Sequence, residues 1–422
     1  LPSIPRPKDE VVPPTIMPRQ DKNKKQAKEI LIENVVSPIL SLPQPKPISP
    51  IYENDKVEEK NFSFSYMGTT CEVRLPKDLN IRMSGCESCM IATIWKQLAT
   101  NAMDNTIRDF LALRLKMQLC DWAYLNLIDT FAKAFCGHGN EAVIMAAFIY
   151  SQSGYKMRLG RDCEKLYLLY GSKHGIYEKG YIVIEGINYY PLDDKVERME
   201  ISDFSFPQEQ SMSLYIENAQ KFTIRPSAIR KLASEQYHDV AIDSQVNLNL
   251  IQFYNTYPSS EVNGNFMTCW KMYADTPMDE SVSQMLYPDI KNKIEGLSDV
   301  QAVNQILNWV QTAFQYEYDD KVWGHDRAFF AEETLYYPYC DCEDRAILFT
   351  RLVRDLLGLK CILVYYPGHL ASAVCLKQQV NGDYISLDGD VYTICDPTYI
   401  GAPVGITMPE MDNRSAKVIK LL

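Results

Sequence analysis

The residue types that could carry covalent chemistry are concentrated in three short stretches near the end of the chain: YCDCEDRA, PGHLASAV and YTICDPTY. These stretches supply a cysteine, a histidine and an aspartate in that order, namely Cys342, His369 and Asp396. A thiol can attack an amide carbonyl, an imidazole can take the thiol proton, and a carboxylate can fix the imidazole tautomer. The sequence therefore predicts a Cys-His-Asp triad that acts on amides through a thioester.

One helix and four strands must position these three residues. Apolar residues at helical spacing predict a helix over 343–357, and Gly358 follows at the position of a C-terminal glycine cap. Cys342 would start this helix, where unpaired N–H groups and the macrodipole are expected to lower its pKa. His369 precedes the second strand and Asp396 follows the fourth, so adjacent strand ends can bring the two side chains into contact. The strands are predicted from β-branched or aromatic runs at 361–366, 370–376, 384–387 and 391–394.

The combination resembles the transglutaminase-like superfamily. The resemblance covers about residues 305–400 and is carried by Cys342-x-Asp344-x-Ala346, Arg354, Leu356-Leu357-Gly358, His369 and Asp396-Pro397-Thr398. It implies a papain-like fold in which Cys342 is the nucleophile, His369 the general base and acid, and Asp396 the orienting carboxylate. It implies a protein or peptide amide as substrate, through hydrolysis or transfer, and neither a metal nor an organic cofactor.

Several residues compete for roles at this site. Cys340 is a second cysteine close to the predicted helix start. The internal repeat described in the next paragraph favours Cys342, and not Cys340, as the nucleophile. Leu370 stands where the family commonly has a small residue, which leaves the base in place and narrows the cleft. The side chain that would help to stabilise an oxyanion is left open between Trp309, Gln311 and Gln315.

The chain carries the same pattern twice. Residues 127–193 match 331–396 at an offset of 204 that later becomes 203, which aligns Cys136 with Cys340, Ala142 with Ala346, Gly154 with Gly358 and Asp193 with Asp396. In the first copy His138 takes the place of Cys342, and Lys165 or Leu166 takes the place of His369. The first copy is therefore predicted to be a degenerate transglutaminase-like domain, kept for packing, substrate binding or a partner surface.

The order of elements predicts an α+β fold, because each copy has a helix followed by an antiparallel meander. We expect two transglutaminase-like domains, each with a helix packed on an antiparallel sheet. The predicted organisation is a proline-rich disordered tether (1–60), a degenerate domain (61–203), a β-rich connecting segment (204–290) and a catalytic domain (291–422).

The amino-acid composition limits which binding partners and which cellular locations we expect. The net charge of -11 disfavours nucleic acid, because few basic side chains are free to neutralise phosphates. The densest apolar run, 143–150, is too short to cross a bilayer. Eleven of the 23 prolines lie in the first 50 residues, which predicts a tether. Such a tether suits an exported protein, periplasmic or on the cell surface, that is held away from a membrane anchor, although a disordered cytoplasmic tail would have the same composition.

A second hypothesis is a non-catalytic peptide-binding or scaffold protein. The first copy shows that the chain tolerates loss of triad residues. The two hypotheses differ in the expected access to Cys342: an open groove favours the enzyme, whereas cover by Leu370 or by residues 321–339 favours the binding protein. A zinc site is not predicted at Cys86 and Cys89, because a second cysteine or histidine pair at ligand spacing is missing.

Overall fold

The structure, a computed structural model, has the mixed α+β composition expected from the sequence. The chain forms two compact units. The first unit comprises the described residues within 41–223 and 256–264, and the second comprises those within 1–40, 224–255 and 265–422. No helix in the described part of the chain is both long and apolar enough to cross a membrane. The described residues are 28–32, 34–36, 44–51, 59–162, 164–193, 199–202, 204–378, 380–409 and 411–422.

The described residues form eleven α-helices and twenty strands. The helices are α1 (Ser88–Leu98), α2 (Asn101–Lys116), α3 (Asp121–Cys136), α4 (Asn140–Gln152), α5 (Leu248–Tyr254), α6 (Met267–Asp275), α7 (Glu280–Ile294), α8 (Asp299–Thr312), α9 (Asp319–Val322), α10 (Ala331–Tyr336) and α11 (Cys342–Leu357). The strands are β1 (Lys28–Glu29), β2 (Val35–Val36), β3 (Phe62–Tyr66), β4 (Thr69–Val73), β5 (Met157–Asp162), β6 (Lys165–Ser172), β7 (Gly175–Ile176), β8 (Ile182–Ile184), β9 (Ile187–Pro191), β10 (Glu200–Ile201), β11 (Arg230–Ala233), β12 (Ala241–Ser244), β13 (Ser260–Glu261), β14 (Gln315–Tyr316), β15 (Tyr339–Cys340), β16 (Cys361–Tyr366), β17 (His369–Cys375), β18 (Asp383–Leu387), β19 (Asp390–Cys395) and β20 (Lys417–Lys420).

The sheet of the second unit has seven strands in the order β1-β18-β19-β17-β16-β20-β2. Helix α11 packs against β16 and β17. The helix ends at Gly358, which has a φ of 64°, a left-handed conformation that glycine adopts without steric cost. The predicted helix and the four predicted strands of this region are confirmed to within one residue at each end.

A short N-terminal segment covers both edges of this sheet. Strand β1 pairs in parallel with β18, and β2 pairs in parallel with β20. The chain from Glu29 to Val35 can span about 21 Å, whereas six strand spacings of a flat sheet cover about 29 Å. The sheet must therefore curl until its edges approach each other. Ile30, between the two strands, is 2% exposed and belongs to the core of the sheet.

The prediction of a disordered tether over 1–60 is wrong for the strands β1 and β2. The prolines of the tether lie on either side of the stretch Lys28–Val36, which is free of proline and rich in isoleucine and valine. Averaging the composition over sixty residues concealed this strand-forming run. Within the predicted tether, residues 1–27, 33, 37–43 and 52–58 lie outside the described part of the chain.

The sheet of the first unit repeats the topology of the second. Its order is β10-β5-β6-β9-β8, which corresponds strand by strand to β20-β16-β17-β19-β18, and every pair in both series is antiparallel. Helix α4 lies on this sheet as α11 lies on the other. Asp162 pairs with Lys165 as Tyr366 pairs with His369. Lys165, and not Leu166, is thus the counterpart of His369.

The prediction of a β-rich segment over 204–290 is wrong. This part of the chain contains α5, α6 and most of α7, with only the short strands β11, β12 and β13. The apolar run at 246–253 is mostly helical because the Asn247 side chain accepts a hydrogen bond from the N–H of Asn249 and caps α5. Helices α6 and α7 belong to the second unit, and α6 packs against α11. The second unit therefore includes residues from 224 onward, whereas the sequence predicted that the catalytic domain begins at 291.

Candidate functional site

The first residue of α11 is Cys342, as the sequence predicts. Asp341 precedes the helix, and its N–H donates to Asp344 Oδ2 at 3.1 Å, which fixes the start of the helix at Cys342. Helix α11 packs on β17, and the backbone of Leu370 in that strand is close enough to the Cys342 thiol to act on its pKa. The structure therefore brings the predicted nucleophile next to the residue that follows His369.

His369 and Asp396 form the contact predicted from the strand ends. The Nε2 atom of His369 lies 2.8 Å from Asp396 Oδ2, and the two residues are 7% and 1% exposed. Ser372 pairs with Cys395, and this register places Asp396 beside the start of β17. The other carboxylate oxygen of Asp396 accepts the N–H groups of Thr398 and Tyr399 at 2.9 and 3.2 Å.

Gln311 holds the loop that carries Asp396. Its side-chain N–H groups donate to the carbonyls of Asp396, Tyr399 and Ala402 at 2.9 to 3.0 Å, and its oxygen accepts the N–H of Gly401. Gln311 is 1% exposed, so this side chain is committed to the loop and is not available to an oxyanion.

The pKa of His369 is raised above its ordinary value. Burial alone would lower the pKa, but the charge and the hydrogen bond of Asp396, with a further contribution from Glu343, outweigh it. The Asp396 carboxylate therefore stabilises the imidazolium, which makes the neutral ring of His369 a stronger base.

The expected depression of the Cys342 pKa is wrong, because the pKa is raised well above its ordinary value. Burial is the largest cause, followed by the charges of Glu343 and Asp341. A helix N-terminus stabilises an anion by about 0.3–1 kcal/mol at exposed positions, which is small beside the cost of burying a thiolate between carboxylates. Cys342 is therefore a neutral thiol in this arrangement.

The thiol of Cys342 donates to Glu343 Oε2 at 3.1 Å. Among the described residues there is no hydrogen bond between Cys342 and His369. Cys342 is 9% exposed and Leu370 is 1% exposed, so the thiol is largely covered. The structure brings all three predicted residues to one place and leaves the thiol turned toward a carboxylate.

The sequence reasoning missed a group of acidic side chains around Cys342. Asp319 and Asp326 join Asp341, Glu343 and Asp344, and a ligand atom of Glu343 lies within 4.8 Å of those of Asp319 and Asp326. Burial is the largest cause of a raised pKa at Asp319, Asp341 and Asp344, and it brings the pKa of Asp319 to about 8. Three of these acids, Asp341, Glu343 and Asp344, are visible in the sequence as the stretch DCED. No sequence pattern indicates that Asp319 lies beside them.

The competing residues have structural roles. Cys340 is 3% exposed, and its sulfur accepts from the Arg345 guanidinium at 3.4 Å. Trp309 is 1% exposed and its indole N–H donates to the Leu232 carbonyl, so this group is engaged in the core. Gln315 is exposed and pairs with Tyr339 between β14 and β15. The eleven cysteines within the described residues are all free thiols.

The corresponding positions of the first unit hold a different set of groups. Lys165 and His138 are exposed, and Asp193 lies 3.7 Å from the Lys133 ammonium. Asp193 and Lys133 also line a cavity of about 420 Å³, together with the α3 residues Trp122 and Asn126. Among the described residues of the first unit, Asp193 is thus paired with a lysine and not with an imidazole.

No family model, curated protein or solved structure matches this chain. Its function is therefore inferred from the geometry and the chemistry of the site. The central features are the His369–Asp396 pair at the ends of two neighbouring strands and the thiol at the start of the helix that packs on them.

Proposed function

We propose that the second unit is a cysteine-dependent amide hydrolase or acyltransferase of the transglutaminase-like type, with Cys342, His369 and Asp396 as its triad. The observation that carries the proposal is the 2.8 Å contact between His369 Nε2 and Asp396 Oδ2. An imidazole held by a buried carboxylate beside a helix-terminal thiol is the arrangement that nucleophilic cysteine catalysis requires.

The tautomer of His369 follows from this contact. A carboxylate only accepts hydrogen bonds, so the Nε2 atom of the neutral ring carries the proton and donates it to Asp396. The Nδ1 atom then has the free lone pair. His369 Nδ1 is therefore the base that takes the thiol proton of Cys342.

The reaction begins with rotation of the Cys342 side chain away from Glu343 and toward His369. The proton passes from sulfur to Nδ1 as the sulfur bonds to the amide carbonyl carbon, and the carbonyl oxygen takes the negative charge. The imidazolium next protonates the amide nitrogen, the C–N bond breaks, and the amine leaves a thioester on Cys342. Water or a second amine then attacks the thioester, which gives a carboxylic acid or a new amide and restores the thiol.

The second candidate is a peptide-binding or scaffold protein without catalysis. Its support is the cover over Cys342, which is 9% exposed, and the thiol hydrogen bond to Glu343. The first unit, which we propose to be a degenerate copy of the same domain, has Lys165 in the place of the catalytic imidazole and a cavity beside Asp193.

Export of the protein remains part of the proposal and rests on the proline-rich first 60 residues.

The two candidates are separated by an experiment that needs no substrate. The rate at which limiting iodoacetamide modifies Cys342 is measured by peptide mapping at pH 7 in wild type and in His369→Ala, with the exposed Cys89 as an internal reference. The enzyme requires Cys342 of wild type to react faster than Cys342 of His369→Ala, relative to Cys89. Equal relative rates would mean that His369 does not activate the thiol and would favour the binding protein.

A further inference from the structure

The cavity beside Asp193 in the first unit is bordered by one face of helix α3. Trp122, Asn126, Asp129 and Lys133 follow one another along α3 at spacings of four, three and four residues, so they share that face. The other walls are formed by residues 176–179, 192–193, Thr256 and Pro258. All of these residues belong to the first unit, and the volume of about 420 Å³ lies in the range of cavities that hold small organic ligands.

The two lysines that line this cavity already have acceptors. The Lys133 ammonium donates to Asp129 Oδ2 at 2.7 Å and lies 3.7 Å from Asp193 Oδ1. The Lys179 ammonium donates to the Leu192 carbonyl at 3.2 Å. An anionic ligand would therefore have to displace one of these contacts.

The aromatic side chains of the cavity wall also have their polar atoms engaged. The indole N–H of Trp122 donates to the Thr256 hydroxyl at 3.4 Å, and the Tyr177 hydroxyl donates to Glu261. Trp122 and Tyr177 therefore contribute mainly apolar surface to a ligand.

Acceptor atoms of the cavity are left unused. Asn126 donates its side-chain N–H to the Trp122 carbonyl at 2.8 Å, and within the described residues its Oδ1 atom accepts no hydrogen bond. The same holds, in the part of the chain that the structure describes, for Asp129 Oδ1 and for the exposed carboxylate of Glu178. The cavity therefore offers acceptors to a ligand that carries N–H donors.

The charge of the lining points the same way. Three carboxylates, of Asp129, Glu178 and Asp193, face two lysines, so the lining is negative overall. Burial raises the pKa of Asp129, and the hydrogen bond and charge of Lys133 offset this effect only in part. One lysine shared by Asp129 and Asp193 thus leaves negative charge for a cationic ligand to compensate.

We propose that this cavity binds the ammonium group of a primary alkylamine, carried by a free amine or by a lysine side chain. Asp129, Asp193 and Asn126 would accept its hydrogen bonds, and Trp122 would contact its alkyl chain. An ammonium directs three donors from a compact head toward acceptors on separate elements, whereas the donors of a guanidinium lie in one plane. The inference concerns the first unit alone and does not depend on the proposed catalysis.

The test is isothermal titration of the full chain near pH 7.5, where a primary amine of pKa about 10.4 is charged. The probes are cadaverine, as a free amine, and Nα-acetyl-lysine amide, as a lysine side chain. Nα-acetyl-norleucine amide, which ends in a methyl group, is the neutral control. We expect one amine per chain with a Kd of about 1 mM or lower, and roughly tenfold weaker binding of the norleucine compound.

The amine that binds more tightly identifies the source of the ammonium group. The proposal would be overturned if neither amine bound wild type at about 10 mM. Equal affinities for the lysine and norleucine compounds would overturn it as well, because the ammonium would then contribute nothing.

Two matched variants locate the bound amine. Asp193→Asn removes one carboxylate charge at similar size, and Asp78→Asn makes the same change at an exposed position outside the cavity. We expect Asp193→Asn to weaken amine binding about fivefold and Asp78→Asn to leave it unchanged. Equal binding by wild type and folded Asp193→Asn would refute the proposal, because the amine would then lie elsewhere.

Discussion

The thiol of Cys342 donates its hydrogen bond to the carboxylate of Glu343, at 3.1 Å, and not to His369. The contact keeps the sulfur beside a negative charge, which opposes formation of a thiolate. Glu343 therefore restrains the residue that the proposed reaction requires as a nucleophile.

Glu343→Gln is expected to release this restraint. Loss of one neighbouring charge lowers the Cys342 pKa, and a change of one pKa unit corresponds to roughly tenfold more thiolate. Iodoacetamide labelling at pH 7 in EDTA, followed by peptide mapping, should show roughly tenfold faster modification of Cys342 relative to Cys89. An unchanged or slower relative rate would show that Glu343 does not control the thiol.

Gln311→Met is expected to destabilise the loop that presents Asp396. The substitution leaves the carbonyls of Asp396, Tyr399 and Ala402 without their shared donor, at a cost of about 3 kcal/mol in the free energy of unfolding. Urea denaturation measures this change. The control Gln315→Met, at an exposed position, should change the free energy by less than about 0.5 kcal/mol, and similar effects of both variants would refute the assigned role.

Ile30→Ala tests whether the N-terminal segment belongs to the curled sheet. Ile30 is 2% exposed in the core, so its truncation should lower the free energy of unfolding by about 3 kcal/mol. The neighbouring Leu31 is 77% exposed, and Leu31→Ala should have almost no effect. Equal effects in urea denaturation would mean that the segment is not packed as described.

His174 in the first unit should make stability depend on pH. The side chain is 2% exposed, its Nε2 atom accepts the Leu214 N–H at 3.0 Å, and burial, aided by Lys173, lowers its pKa to about 4. Well above pH 6.5 the histidine is neutral in both states and has no effect on the pH dependence. As the pH falls from 6.5 to 4 the unfolded chain binds the proton first, so stability decreases by up to about 3 kcal/mol.

The variant His174→Gln keeps an acceptor for the Leu214 N–H and does not titrate. Between pH 7 and pH 5 the free energy of unfolding of wild type should fall by about 2 kcal/mol more than that of the variant. Urea denaturation at the two pH values measures the difference. Parallel pH dependence of the two proteins would contradict the assignment.

Local pattern was sufficient to predict the elements of the site. Apolar residues at helical spacing before Gly358, and β-branched runs separated by glycine turns, defined α11 and strands β16 to β19 to within one residue. The contact between His369 and Asp396 followed from this strand order because both residues lie at strand ends.

Features that depend on distant parts of the chain could not be predicted. The pKa of Cys342 depends on burial and on carboxylates whose arrangement only the fold determines, and Asp319 reaches the same place from α9. The N-terminal strands were missed because their short strand-forming run lies between proline-rich stretches, and nothing local indicates that it pairs with the distant β18 and β20. The helix at 248–254 was missed because its apolar run is too short to distinguish a helix from a strand.

The most direct test of the central claim, that Cys342 forms a thioester with an amide substrate, is a product analysis. A broad peptide library with free glutamine and lysine side chains is incubated with wild type, Cys342→Ala and the exposed-cysteine control Cys89→Ser, and the products are identified by mass spectrometry. The account predicts new peptide ends or new amide links with wild type and Cys89→Ser, and none with Cys342→Ala. The absence of products from wild type, or the same products from Cys342→Ala, would contradict it.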